Sequence, residues 1–521
     1  MAGVVEMKRY IFGPWMPDLP PLVNQQGTTV ARNVVPIGGG YGPLASLTPR
    51  AGTPTLALYA RGAIGGTDFA TNSYSFAGDQ LDLYKADSSG ATVVTRSSGQ
   101  YQCGNEDYWE FAVFGETVFA TNFIDKMQYF DLRDFSAGAT FKNVSDLPNA
   151  PAVPRARHIG VIDNFLVAGN VFDEEIGLVT DGISWSTVNN ALSWPLRGTD
   201  LAVAVQSDRQ RLEGSGGHVN AVISGSEVGA IFQEHAIWRM DYVGGDVVFA
   251  LNRVEPNRGL LIPKLAVPVG RQVFYLSEDG FYMFDYTTSR PIGKDRVNRE
   301  FLNDLDQDFF YRVTAVRDPD ETRLYVLYPG SGHVDGMPNK MLIYDWALDQ
   351  FTDAEVTAAV LCWSFTHGAD LDSADIPGDE DFLEGPPASL ATLSFDDRAT
   401  PTGSATLSAY DGSNILSTFT GENLAGTIET GDLEITPGGR TLVTQVRPLV
   451  DDVDVTVQVA GLPKRPRRDV VLKFGPKSKQ EDHGACSVRS DGRYHRIRVN
   501  LPSTFANASG CDVNGRPSGM K

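Results

Sequence analysis

Only four cysteines occur in 521 residues, at positions 103, 362, 486 and 511, and no two form a C-x-x-C pair. Thiols scattered this way read as reduced and structural, which excludes a disulfide framework and a thiolate metal site and points to synthesis in a reducing cytoplasm. The sequons at Asn143 and Asn507 then carry no sugar. Histidine is scarce as well. The seven (158, 218, 235, 333, 367, 483, 495) stand singly, without an H-E-x-x-H pair, so neither zinc nor any other cofactor is expected. No run of 18 apolar residues appears, which excludes a membrane-spanning segment of that kind. The opening residues lack a basic leader followed by an apolar stretch, so no signal peptide is expected. Long stretches rich in Ala, Glu, Lys and Leu are missing too, which argues against a helical protein.

Turn formers and strand formers are present in quantity: 53 glycines, 30 prolines and 10% aromatics within a 42% apolar chain. That balance favours short strands and many turns. From about residue 53 to 421 one phrase recurs: an apolar strand, a Gly/Asp/Asn turn, a second aromatic strand and another turn. RQVFYLSEDGFYMFDYTTSRPIG (271–293) is the clearest copy, with Asp279-Gly280 between two apolar runs as a hairpin signal. Others lie at 111–132, 159–188, 221–244 and 322–353, with weaker ones at 55–95 and 404–420. Seven units at this spacing predict an all-β fold, a β-propeller of about six to eight blades. A pair of large β-sandwiches is the competing architecture.

Residues 1–52 predict an extended N-terminal arm, broken by prolines yet apolar enough (Phe12, Trp15, Leu19, Leu22, Tyr41) to be pinned onto protein. Residues 53–437 would be the propeller body, with an acidic loop at about 366–400 in which no Lys or Arg occurs between Asp370 and Asp397. Residues 438–521 read as a separate small β-domain. The net charge of −21 is segregated. From Gly438 onward there are 15 basic against 8 acidic residues, leaving 29 against 57 before it, so the end carries +7 and the rest −28. Such segregation suits a subunit whose two regions meet different surfaces.

Catalytic signatures are absent. Ser277-Glu278-Asp279-Gly280 departs from a sialidase Asp box after its first residues, and Gly38-Gly39-Gly40-Tyr41-Gly42 lacks the Lys-Ser/Thr of a P-loop. No nucleophile elbow is spaced correctly around Ser226. A non-enzymatic role is expected. One stretch invites a binding role. As a strand, Tyr494, Arg496 and Arg498 would share one face about 7 Å apart, with His495, Ile497 and Val499 facing the core. Solvent-facing arginines there would contribute about 0–1 kcal/mol to folding and would reach carboxylates of a neighbouring subunit. Trp15, Tyr494, Arg496 and Arg498 are thus the candidate interface residues.

The opening FGPWMPDLPPLVN (12–24) and ARNVVPIGGGYGPL (31–44) resemble the start of tail hub or nozzle (head-to-tail stabilisation) proteins of short-tailed bacteriophages of the temperate Salmonella-phage type. The end, VRPLVD (446–451), GACSVRSDGRYHRIRV (484–499) and GCDVNGRPSG (510–519), resembles the close of the same group. The resemblance implies a virion tail protein that forms a ring, typically a homohexamer, below portal and adaptor rings. Tail fibres, spikes or a needle would attach to it, and genomic DNA would pass non-specifically through an acidic lumen. Two other classes share the composition: a glycan-binding or glycan-degrading tail protein, and a soluble bacterial propeller.

Overall fold

A computed structural model of the chain describes residues 6–21, 27–50, 55–69, 73–87, 90–134, 136, 138–245, 247–365, 405–463 and 472–519. The acidic loop expected at about 366–400 lies outside these residues.

The described residues build seven four-stranded antiparallel units, at 62–93, 110–143, 155–211, 219–255, 266–291, 314–355 and 358–418. The Asp279-Gly280 hairpin shows how local chemistry starts one. Gln272–Ser277 and Gly280–Phe284 pair with Ser277 opposite Gly280, leaving a two-residue turn. Gly280 adopts φ 130°, and a Cβ there would lie 1.7 Å from the Asn298 amide. That amide clips the hairpin, donating to Asp279 O (3.1 Å) and accepting from Phe281 N (3.2 Å).

The inner strands succeed one another around a ring: Gly62–Thr67, Glu110–Phe114, Arg155–Ile162, Val219–Ile223, Ala266–Val269, Thr314–Arg317 and Ala358–Phe365, the last packing on the first. This is a closed β-propeller, and the seven units read from the sequence are its blades. Five of the seven blade-to-blade interfaces each have their own apolar cluster. Phe76, Phe130 and Phe141 fill the first interface, Phe119 and Trp194 the second, and Phe165 and Phe249 the third. Phe232, Tyr275 and Phe284 fill the fourth, and Tyr84, Val360 and Tyr410 the closing one. Each such side chain contributes about 1.5–3 kcal/mol by leaving water.

Where blades approach most closely, side chains disappear. A Cβ on Gly65 of blade one would lie 2.2 Å from the carbonyl oxygen of Trp363 in blade seven. The fourth strand of blade seven is Thr48–Pro49, which pairs with Leu416–Thr418. The N-terminal region therefore completes the last blade.

The remaining strands form a β-platform from both ends of the chain. Glu6–Ile11 pairs with Ala508–Gly519, which pairs with Arg440–Val450, which pairs with Cys486–Gly492. In a second sheet Thr28–Arg32 lies between Gly426–Thr430 and the outer strand of blade six, Gln350–Glu355. Tyr494–Leu501 and Thr456–Leu462 extend that sheet. Val446 and Val513 of one sheet and Ile497 and Val499 of the other share a single core with blades five and six.

The expected boundaries at 52/53 and 437/438 differ from this topology. Glu6–Ile11, Thr28–Arg32 and Thr48–Pro49 are not parts of an arm laid on a body, because their backbone groups pair with strands some 300 to 500 positions away. The platform's C-terminal part starts at Gly426, since Gly426–Thr430 already belongs to its sheet.

Two substitutions test this core. Gly65→Ala should destabilise by about 1–3 kcal/mol through overpacking against a backbone that has nowhere to move. Trp15→Ala should cost about 3–5 kcal/mol, because the indole is 7% exposed and its Nε1 donates to Thr29 O at 3.1 Å. Denaturant melts of both variants beside the wild type check this, and unchanged midpoints would refute the packing described.

Candidate functional site at the propeller axis

The inner strands enclose an axial channel of about 310 Å³, where Ala63, Ala221, Ala266 and Ala315 stand beside larger apolar side chains such as Ile64, Phe111 and Leu361. At the end where these strands begin, the preceding loops widen into a bowl of about 600 Å³. A narrow recess of about 40 Å³ adjoins both, sharing Asp107, Tyr108 and Tyr311 with the bowl and Lys264 with the channel.

Three cations line the recess, each placed by the same local device: a basic residue one or two positions ahead of an inner strand. Arg61 precedes Gly62, Lys264 precedes Ala266 and Arg312 precedes Thr314. Lys264 Nζ donates to the Arg61 carbonyl oxygen at 3.0 Å and lies 4.2 Å from the Tyr108 ring centroid. Burial pushes its ammonium down to about 8, against the opposing pull of Cys103 and Glu110. Arg61 donates to Cys103 O (3.0 Å) and Asn105 Oδ1 (3.3 Å), while its Nε is buried without a partner. Arg312 stacks 4.6 Å from the Tyr59 ring. Burial raises the Tyr59 hydroxyl to about 12, with Arg312 and then Arg61 acting against it.

The nearby carboxylates are engaged elsewhere. Asp107 pairs with Arg157 at 3.1 Å. Glu110 meets His158 Nδ1 at 2.9 Å and accepts from Ile159 N at 3.1 Å. Among the described residues, Lys264 has no ion-pair partner. The recess therefore gathers positive charge at the axis of an acidic propeller.

The bowl above it is lined by the aromatics Tyr108, Phe123, Phe310 and Tyr311, the amides Asn170, Asn220 and Gln307, and charged side chains that include Glu106, Arg157, Glu234 and Asp308. Asn170 sits at a β-bulge between Gly169 and Val171 with φ 53°, a device that re-aims a side chain. It is 5% exposed, its Nδ2 donates to Val219 O at 3.3 Å, and its Oδ1 is buried without a partner. Aromatic faces with convergent amides are a ligand-binding geometry.

Sequence reasoning missed this site, although the recurrence of a lone cation just ahead of an inner strand was the available signal. The residues it did select lie in the platform. Trp15 is buried in the chain's own core. Tyr494, Arg496 and Arg498 do share a face, with His495, Ile497 and Val499 fully buried behind them. Where the sequence suggested a neighbour's carboxylates, both arginines have buried partners in their own chain. Arg496 Nε and Nη2 reach Asp432 Oδ1 at 3.0 and 2.8 Å, and Arg498 Nε reaches Glu429 Oε1 at 2.5 Å. Asp432 and Glu429 come from the adjoining 426–433 segment, which the sequence reading had assigned to the propeller.

The four cysteines are all buried and unpaired, and burial pushes each thiol up, Cys103 to about 12 and Cys486 to about 11. Among the described residues no three of His, Cys, Asp and Glu converge on a possible metal position. Among the described residues no helix is long and apolar enough to cross a membrane.

No family model and no curated protein matches the chain. Among solved structures, the Neurospora crassa Pan2 WD40 domain aligns at 6% identity over 62% of this chain and 90% of that one, with TM-score 0.34. A chain of the mitotic checkpoint complex aligns at 8% identity over 63% and 91%, with TM-score 0.33. Kluyveromyces lactis Hsv2 aligns at 10% identity over 54% and 81%, with TM-score 0.29. The class of this protein, a seven-bladed propeller with a β-platform built from both chain ends, rests on its own sheets.

Replacing Arg496 with Ser should cost about 3–5 kcal/mol of folding stability, because it strands the Asp432 carboxylate, whose side chain is 2% exposed. Arg498→Ser should cost less, since its guanidinium is one-third exposed. Urea titration of each variant measures the difference. Wild-type midpoints would mean that these are ordinary surface charges.

Proposed function

We propose that the chain is a structural, non-enzymatic virion protein: a ring-forming hub or nozzle subunit of a bacteriophage tail. The observation that carries this reading is the meeting of the two ends. The segments that resemble the hub family, 12–24 and 31–44 near the start and 446–451, 484–499 and 510–519 near the end, lie far apart in the chain, yet start and end meet in one β-platform: Gly40–Pro43 pairs with Ala508–Gly519 through Tyr41 and Ala508, and that strand pairs with Arg440–Val450. A resemblance confined to two distant segments has a physical rationale when both segments build the same unit.

Charge supports the reading, since the basic end after Gly438 and the acidic remainder suit contacts with different rings. So does the rim of blades three and four. Leu196, Leu201 and Val203 are 58–68% exposed there, with Val243 and Val247 at 55% and 63%. Tyr242 OH donates to Gln206 Oε1 at 2.9 Å and ties the two loops together. Apolar side chains gathered at an exposed rim fit a head-to-tail contact with the next copy, the kind of interface that closes a ring. In this reading six copies surround a lumen between subunits, through which DNA leaves. Portal and adaptor rings bind one end, and fibres, spikes or a needle bind the other.

The axial bowl favours a second reading, a glycan-binding tail protein, because its aromatic faces and amides match sugar rings and hydroxyls. Saccharide titration separates the two readings. The expected result for the first is a closed, six-fold ring in virions and in concentrated protein, with Leu201→Asp/Val203→Asp leaving a folded monomer that no longer assembles. Native mass spectrometry and cryo-electron microscopy of particles decide it. A monomer at every concentration, absent from virions, would end the proposal.

A further inference from the structure

We infer that Arg61, Lys264 and Arg312 form an oxyanion-binding site at the propeller axis, which takes the phosphate or carboxylate group of a small ligand whose body lies in the bowl. The inference is independent of ring formation.

Three observations carry it. The first is convergence. The three cations line one recess, Lys264 bonds the Arg61 carbonyl, and Tyr59 lies in the field of both Arg312 and Arg61. Like charges held together are mutually unfavourable unless a counter-charge joins them. The second is that none of the three cations has an ion-pair partner among the described residues. The two nearest carboxylates, Asp107 and Glu110, are bound by Arg157 and by His158 with Ile159 N. The third is unused donor capacity. Arg61 Nε is buried without a partner. The Lys264 ammonium, with three donors, has a single hydrogen bond, to a backbone carbonyl, among the described residues. A planar or tetrahedral oxyanion supplies the acceptors for both kinds of donor. The recess, at about 40 Å³, holds such a group but not a sugar or a base, and it adjoins the larger bowl through Asp107, Tyr108 and Tyr311.

Lys264 couples this site to pH. With its ammonium pushed to about 8, the free amine loses its proton as pH rises through that value, and a bound anion favours the charged form. Binding therefore takes up a proton above about pH 8 and weakens from pH 7 to 9. The groups facing the amine are Arg61, Arg312, Asp107, Glu110, Cys103, Tyr59 and Tyr108. Burial pushes the last three upward, out of this window.

The test is isothermal titration of the full-length protein with inorganic phosphate and, separately, with acetate, each against chloride at matched ionic strength. Saturable binding of either supports the site. Phosphate alone assigns a phosphate group, and acetate alone assigns a carboxylate. Lys264→Met should weaken the bound anion about ten- to hundredfold, the scale of one charge-assisted hydrogen bond, and should abolish proton uptake between pH 8 and 9. Arg312→Gln serves if Lys264→Met does not fold. The inference is overturned if neither anion binds at millimolar concentration, or if the folded variant binds as tightly as the wild type.

Discussion

A radial array of small sheets keeps two open faces until its last sheet meets its first, and each four-stranded blade is too small to hold its shape alone. Closure is therefore the condition on which everything else here depends. The chain meets it by splitting blade seven between distant segments: Ala358–Phe365, Ala405–Asp411 and Leu416–Thr418 from late in the propeller, and Thr48–Pro49 from before its start. Opening the ring would expose the Tyr84, Val360 and Tyr410 cluster and would also pull residue 49 away from its sheet. The two losses are tied together, so the closing blade cannot fray independently.

The same strategy is repeated in the platform, where neither end can form a sheet alone. Glu6–Ile11 has its partner beyond position 508, and Arg9 clasps the buried Asp512 through two bonds of 2.8 and 3.0 Å. The Arg9 hydrogen bond is the largest influence holding the Asp512 carboxyl below its usual range. Thr28–Arg32 then joins the platform to blade six, with Arg32 Nε 2.9 Å from Asp353 Oδ2. Propeller and platform thus share a continuous nine-stranded sheet. A surface carried by the platform is consequently fixed in orientation relative to the propeller axis.

Electrostatics divide along lines that net charge conceals. Two arginines of the basic C-terminal region are not free, since Arg496 and Arg498 neutralise Asp432 and Glu429 in the same sheet. In the acidic propeller three cations meet at the axis, and among the described residues none of them has an ion-pair partner. The second arrangement is the one with unused binding capacity, and it arises from blades one, five and six approaching a common point.

Much of the fold was legible in the sequence. Strand texture and turn chemistry act over a few residues, so the seven units, the Asp279-Gly280 hairpin and the alternation of Tyr494 through Val499 could all be read locally. Burial of Trp15 could be read too, because an apolar residue among prolines has to be covered by something. What covered it could not, nor could the membership of residues 6–49 in three separate sheets, since strand pairing across hundreds of residues leaves no local periodicity. The candidate site was hidden for the same reason. Arg61, Lys264 and Arg312 are unremarkable singly, each a lone cation before a strand. Likewise nothing local to Arg496 announces Asp432. The sequence by itself determined the elements and their inward faces, because these follow from period and turn residues. Tertiary structure alone decided which charges are neutralised and which converge, because that depends on ring closure bringing distant loops within a few ångströms of each other.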